Sequence, residues 1–328
     1  MSGSFNQQLL ISIVSFCDKE LVPTIADALK QAKNPSRITF SIVEQDTESN
    51  KQEIEELVSS FNASLIYKHV QVEETQGVVW ARSWAAKPLT SLKYDYYLQL
   101  DSHMRFSFHY DSFLINSYEH ALDQWGPFVW TAYCPNYSID EGSYILDDVD
   151  TQSTFAIVYE KFASVLVGCT KPFDKSNLYG EIALQVSGHF LFGDAKIFID
   201  NPFDPNLYWE GEESTYAARL YCKGIKTVSP PHTYFWHKYE SDITPNPTRK
   251  KHSQNETWEN QEFMEEKINR LATRGLARCK DFWDNNISDG YGACSKEQLH
   301  AFLYLENRTP PKHYATIGFS IEENDFDR

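Results

Sequence analysis

The sequence has no stretch approaching the ~18 apolar residues that a membrane-spanning helix needs. It also has no basic run able to offset its acids: Asp and Glu outnumber Lys and Arg by 46 to 30 in 328 residues, for a formal charge of −16. The first absence argues against a membrane span. The second argues against a nucleic-acid or anionic-membrane partner, which a uniformly acidic surface repels. The apolar run Leu9–Phe16 lacks a preceding basic segment and is too short for a signal sequence with its cleavage site, so a soluble, cytoplasmic chain is expected. The cysteines (17, 134, 169, 222, 279, 294) show no CxxC spacing, which argues for reduced, buried thiols over a disulfide framework. The N-x-S/T triplets at Asn62, Asn136, Asn255, Asn286 and Asn307 are then expected to be chance matches. There is no internal repeat and no low-complexity segment. What is present is material for a core: 41% hydrophobic and 15% aromatic residues, which excludes global disorder. The length fits one large α/β domain, or a domain with an appendage.

LLISIVSF (9–16) is a continuous apolar run, as expected of a parallel strand covered on both faces. ELVPTIADALKQA follows with helical spacing at Leu21, Ile25, Ala28 and Leu29. RITFSIVEQ (37–45) reads as a strand, KQEIEELVSSF (51–61) as a helix, and SLIYKHVQV (64–72) as a strand. GVVWARSWAAKPL (77–89) reads as a helix and YDYYLQL (94–100) as a fourth strand. This β-α alternation predicts an open parallel sheet with helices on both faces, in which ligands sit at the carboxyl ends of the strands. Further on, FVWTAYCP (128–135) reads as a strand. The acidic segment 136–156 reads as an active-site loop or excursion, and 183–198 as a strand pair. Residues 203–224 read as a loop entering a helix with Gly224 as C-cap. Residues 226–237 read as extended chain, and 254–305 as a mostly helical appendage. The boundary is placed at residue 250, between a domain 1–250 and a helical extension 251–328.

Asp101 and His103 end the fourth strand, spaced i, i+2, so both point the same way from extended backbone and can bind one divalent ion. An oxygen and a nitrogen donor suit Mn²⁺ better than Ca²⁺. Taken alone, D-x-H is equally a strand-end turn with an incidental histidine. His237, closing TYFWH, is a candidate third ligand, and His189 and His232 stand level with it. WEGEES (209–214) gathers Trp209, Glu210, Glu212 and Glu213 at a probable helix start. Dipole capping accounts for acids there, whereas acids beside a Trp also hold a sugar, and one Glu could act as general base. Gly77 and Arg82 in QGVVWAR begin a helix whose N-terminus can hold a diphosphate or nucleobase. A solvated Arg behind an ordinary Gly is the plainer explanation.

In order along the chain, ISIVSF, QGVVWAR, YYLQLDSH, SGHFLF (187–192), FDPNLYWEGEESTYAARLYCKG and His237 resemble a known pattern, spanning residues 9–240. The chain resembles the GT-A glycosyltransferases of family 60, which holds the Skp1-type polypeptide N-acetylglucosaminyltransferases that modify hydroxyproline, and their bacterial relatives. It is more distantly similar to the mucin-type polypeptide N-acetylgalactosaminyltransferases. The resemblance implies a GT-A fold: a mixed, mostly parallel sheet of the Rossmann-like, nucleotide-diphospho-sugar transferase kind. It implies that Asp101, His103 and His237 bind Mn²⁺ or Mg²⁺ across the diphosphate of a UDP-sugar. It further implies that Arg82, Ser15, Asp18, Ser102 and Gly188 line the donor, and that Trp209, Glu212 and Glu213 face donor sugar and acceptor. The implied reaction is transfer of a sugar, GlcNAc, to an acceptor hydroxyl with retention, on a protein or a glycan. An inverting route would need Glu212 or Glu213 as base.

Three other readings share these residues. The same fold and donor could serve a capsule or lipopolysaccharide glycan. Asp101, His103 and His237 could serve a metal-dependent hydrolase of nucleotide sugars, although such sites usually draw on a denser His/Asp set. A non-catalytic sugar-binding protein would keep the fold and lose turnover.

Overall fold

The computed structural model describes residues 7–304, except 92–93, 142, 148–154, 163–164, 173–177, 184, 210, 240–261 and 294. The chain opens as β1 (Leu9–Phe16), α1 (Leu21–Gln31), β2 (Ile38–Gln45), α2 (Lys51–Ser60), β3 (Ser64–Val70), α3 (Val78–Ala85) and β4 (Tyr96–Asp101). It continues through β5 (Met104–Phe106), α4 (Tyr110–Trp125), β6 (Phe128–Thr131), the hairpin β7 (Tyr137–Asp140) and β8 (Ser143–Leu146), and the pair β9 (Phe155–Phe162) and β10 (Val165–Pro172). Then come β11 (Glu181–Ile182), β12 (Phe190–Asp194), α5 (Ala195–Asp200), α6 (Glu212–Cys222), β13 (Lys226–Ser229), β14 (Phe235–His237), α7 (Glu262–Trp283) and α8 (Lys296–Tyr304).

The main sheet has eight strands in the order β11-β13-β6-β12-β4-β1-β2-β3. β4, β1, β2 and β3 run parallel, whereas β12 is antiparallel to both β4 and β6. β1 is apolar almost throughout because both its faces are covered. Leu9, Ile11 and Ile13 join a core with α1, α2 and α4, while Leu10 joins a second core with Val79 of α3 and with α6. In α1, Leu21, Ile25, Ala28 and Leu29 are buried, the stripe that an amphipathic helix turns to a sheet. Cys279, Phe282 and Trp283 of α7 and Leu299, Phe302 and Leu303 of α8 lie in that second core. The extension therefore shares its apolar interior with the sheet. The boundary at residue 250 falls outside the described residues, as do Asn255, Asn307 and the tail beyond 304.

One expectation is corrected. The segment 183–198 is not a strand pair: β12 stops at Asp194, whose carboxylate accepts the Lys196 N–H at 2.7 Å and starts α5. Of the two readings of 136–156, loop or excursion, the described part fits an excursion: it contains the hairpin β7–β8, outside the main sheet, with Tyr137 opposite Leu146 and Asp140 opposite Ser143. Cys17, Cys134, Cys222 and Cys279 are buried and unbridged, as expected of reduced thiols. Among the described residues no helix is long and apolar enough to cross a membrane.

Candidate metal and donor site

β4 lies in the middle of the sheet and ends on Asp101. The chain turns through Ser102 and His103 into β5, which pairs antiparallel with β14, so that His237 stands opposite Met104. The His103 carbonyl accepts the Lys238 N–H at 3.1 Å. This short ladder brings two imidazoles together: His103 Nε2 and His237 Nε2 are 3.0 Å apart. Asp101 Oδ2 lies 3.4 Å from His237 Nε2 and 4.0 Å from His103 Nε2. Donor atoms held at about 2.1 Å around one ion, at right angles, are about 3 Å from each other, so the triangle has the size of a divalent-ion ligand set.

Asp18, just past β1, orients this triangle. Its Oδ2 accepts from His103 Nδ1 at 2.7 Å and from the Ser102 hydroxyl at 2.5 Å, and its Oδ1 accepts the Glu20 N–H at 2.9 Å. A proton on His103 Nδ1 leaves the Nε2 lone pair facing the cluster, the usual arrangement behind a metal-bound histidine. Burial opposes charge on Asp18, yet the bonds to His103 and Ser102 hold its carboxyl below the ordinary value. Burial likewise opposes protonation of His103, and Asp18 outweighs it, raising the imidazole. Burial works against charge on Asp101, but Arg82 and the two histidines hold it well below the usual carboxylate range. His237 is lowered by burial against the pull of Asp101, and its buried Nδ1 has no hydrogen-bond partner among the described residues.

His189 forms a second trio with Asp101 and His237, with donor atoms within 4.8 Å of one another. Its nitrogens are committed elsewhere. Nε2 accepts the Cys134 N–H at 3.0 Å, which leaves Nδ1 to donate to the Ser187 hydroxyl at 2.9 Å. Burial and His237 lower it well below the ordinary imidazole value, so it packs on His237 as a neutral ring, centroids 4.4 Å apart. His232 is exposed, with its ring against Tyr234. Of the two trios, that of Asp101, His103 and His237 is the one in which, among the described residues, no backbone amide occupies an imidazole Nε2.

Arg82 sits behind the triangle, 5% exposed. One guanidinium nitrogen donates to Asp101 Oδ1 at 2.7 Å and another to Glu212 Oε2. Gly188 lets the guanidinium in: a Cβ there would meet Arg82 Nη1 at 2.5 Å. The Gly188 N–H donates to Glu213 Oε1 at 2.7 Å, and its carbonyl accepts from Gln99 Nε2 at 2.7 Å. Glu212 Oε1 is buried without a hydrogen-bond partner among the described residues. Burial pushes Glu212 up against the pull of Arg82, and it pushes Glu213 up to about 7.

The structure therefore brings together Asp101, His103, His237, Arg82, Gly188, Glu212, Glu213, Asp18 and Ser102 through contacts named above. Ser15 is buried at the end of β1, and its hydroxyl has no partner among the described residues. Trp209 is 43% exposed in the turn before α6, its carbonyl accepting the Glu212 N–H at 3.3 Å, and Glu210 lies outside the described residues. Sequence reasoning missed Gln99 and the bracing place of His189. A signal for Gln99 was there: one amide inside the buried run YYLQL needs a polar partner.

The family model described as Glycosyltransferase (GlcNAc) matches residues 8–63 and 49–285. The chain belongs to this glycosyltransferase family. Among solved structures, this family member is similar to GalNAc-T7 with UDP, GalNAc and Mn²⁺, at 14% identity and a TM-score of 0.56, over 92% of this chain and 55% of that one. It thus spans about half the length of GalNAc-T7. That likeness establishes the GT-A fold: a mixed, mostly parallel sheet between helices. The mannosyltransferase PcManGT from Pyrobaculum calidifontis, in complex with GDP-Man and Mn²⁺, matches at 11% identity over 93% of this chain and 72% of that one, TM-score 0.48. S. aureus TarS 1-349 matches at 13% identity over 71% and 60%, TM-score 0.44. No curated protein sequence matches this family member.

Proposed function

We propose that this chain is a metal-dependent glycosyltransferase that moves GlcNAc from UDP-GlcNAc to an acceptor hydroxyl with retention, acting in the cytoplasm. The observation that carries the reading is the triangle of Asp101, His103 and His237 at the carboxyl edge of β4, tied through Arg82 to Glu212. The family description and the UDP and Mn²⁺ named with GalNAc-T7 support the donor class. Residues 1–250 would form the catalytic domain and 251–328 a helical extension packed on it. Kinship to the Skp1-type enzymes is the finer part of the proposal, with a capsule or lipopolysaccharide glycan as the alternative acceptor.

Mn²⁺ or Mg²⁺ held by Asp101, His103 and His237 would neutralise the diphosphate and stabilise UDP as a leaving group. Asp18 keeps the His103 lone pair aimed at that position. Arg82 fixes Asp101 and Glu212 relative to each other, and Glu213 and Gln99 hold the Gly188 backbone beside them. Ser15 and Ser102 would lie on the nucleotide side, Trp209 on the rim facing sugar and acceptor. Retention is what the family resemblance implies; Glu212 Oε2 is bound to Arg82 and Glu213 Oε1 to the Gly188 amide, so an inverting route would have to use the remaining oxygens, of which Glu212 Oε1 has no partner among the described residues. In the retaining scheme the acceptor oxygen bonds to the anomeric carbon on the face that UDP leaves, and its proton goes to the departing phosphate. Asp101→Asn keeps volume and a hydrogen bond to Arg82. It is expected to remain folded and to lose Mn²⁺-dependent turnover. An equatorial product linkage by NMR would sink the retaining assignment, and full turnover by Asp101→Asn would sink the metal site.

A further inference from the structure

Asp18, the carboxylate behind His103, is itself supported. Its Oδ1 accepts the Glu20 N–H, so the rotamer that turns Oδ2 to His103 depends on where the Glu20 backbone lies. Glu20 caps the start of α1, and its side chain is held from three directions. Oε2 accepts from Arg105 at 2.6 Å and from the Tyr137 hydroxyl at 3.1 Å, and Oε1 lies 3.7 Å from Lys238 Nζ. Lys238 follows His237 in the chain, Arg105 lies two residues past His103 and opposite Trp236, and Tyr137 opens β7. One carboxylate thus meets both strands of the ladder that carries the histidines, and the hairpin as well.

The hairpin is bonded to the same ladder by its backbone. The Pro135 carbonyl accepts the His237 N–H at 2.8 Å, Asn136 Oδ1 accepts the Tyr239 N–H at 3.1 Å, and the Asp147 carbonyl accepts from Trp236 Nε1 at 3.3 Å. Beneath the hairpin the Arg105 guanidinium donates to the Met104 carbonyl at 2.8 Å and lies 4.5 Å from the Tyr137 ring. Glu20, Arg105 and Tyr137 are all buried. Away from water each of these bonds is stronger, and a lost partner is felt by the rest of the network. A core ion pair would need only Arg105 and Glu20. The Tyr137 hydroxyl at one end and the Glu20 amide at the other extend that pair into a path: Tyr137 to Glu20, Glu20 to Asp18, Asp18 to His103.

We propose that Glu20 and Tyr137 are positioning residues for the metal site, so that the β7–β8 hairpin helps to hold His103 in its metal-binding pose. This rests on the metal reading of Asp101, His103 and His237, to which it adds two residues outside the ligand set. The test is Mn²⁺ binding by the full chain, followed by isothermal titration calorimetry with no donor or acceptor present. Tyr137→Phe keeps the ring over Arg105 and removes only the hydroxyl. A partner directly behind a ligand is worth about 10–100-fold in metal affinity, and Tyr137 acts one carboxylate further out, so a loss of about three- to tenfold is expected. Glu20→Gln, which gives up the charge and one acceptor oxygen, should weaken binding at least as much. In an Asp18→Asn background the Tyr137→Phe loss should disappear, because the two act along one path. Tyr144→Phe is the control: it deletes a hydroxyl of the same hairpin, one that donates to Asp27 Oδ1 at 3.1 Å, and Asp27 bonds to Phe106 and Gln31 rather than to Asp18. It should leave Mn²⁺ affinity unchanged. Unaltered affinity in Tyr137→Phe or Glu20→Gln, equal losses in the two tyrosine variants, or a Tyr137→Phe loss that persists in full beside Asp18→Asn would overturn the proposal alone. Failure of the unsubstituted chain to bind Mn²⁺ would overturn the metal reading, and the proposal with it.

Discussion

At the scale of residues, the site is a chain of charges in which each carboxylate has a stated task. Asp18 holds His103, Asp101 faces both histidines, Arg82 joins Asp101 to Glu212, and Glu213 holds the Gly188 amide. Asp18 contributes by orientation and by the electron density it lends to the imidazole. Asp18→Asn preserves shape but removes the charge and leaves one amide oxygen in place of the two carboxylate oxygens that accept from His103, Ser102 and the Glu20 amide. Loss of such a supporting carboxylate typically weakens metal binding about 10–100-fold. A Mn²⁺ titration followed by thermal shift is expected to report that loss, and an unchanged midpoint would mean that His103 does not depend on Asp18.

At the scale of elements, the loop before α6 is pressed from two sides. A Cβ on Gly77, whose φ is +96°, would reach within 2.4 Å of the Tyr208 ring; one on Gly275 of α7 would lie 2.7 Å from the Tyr208 backbone nitrogen. Tyr208 precedes Trp209 and the acids of α6, so α7 helps to set their position. Gly275→Ala pits two effects against each other. Helix propensity would gain about 1 kcal/mol, while overpacking against a backbone atom costs about 1–3 kcal/mol. Since backbone cannot swing aside as a side chain can, a net loss is expected, read as a lower urea midpoint with reduced turnover. A raised midpoint would mean that α7 does not clamp the loop.

Much at this scale was legible. β1 matches LLISIVSF end to end, and α2, β3 and β4 fall within two residues of their apolar patterns, because covered strands and amphipathic helices state their burial in sequence. Asp101, His103 and their strand-end position were equally legible. The hairpin was not, because its strands are short and half polar, with acids where a loop would carry them. The residues alone left three histidines level, and only the resemblance singled out His237. What local sequence cannot state is the β5–β14 register, which puts His237 beside His103, or the Cys134 amide that occupies His189. Long-range pairing of this kind leaves no local periodicity to read.

At the scale of the whole molecule, a formal charge of −16 stands against the proposed donor, a UDP-sugar that is itself anionic. The buried guanidinium nearest the triangle offers no relief, since Arg82 already faces two carboxylates. A diphosphate can settle at this edge of the sheet only with a cation between it and Asp101. The most direct measurement is UDP release from a panel of UDP-sugars with Mn²⁺, repeated with EDTA. Slow hydrolysis of UDP-GlcNAc above the other donors, abolished by EDTA and restored by excess Mn²⁺, is the expected result. Release that persists in EDTA, or no release from any donor together with no Mn²⁺-dependent thermal shift by UDP, would contradict the metal-dependent transferase account.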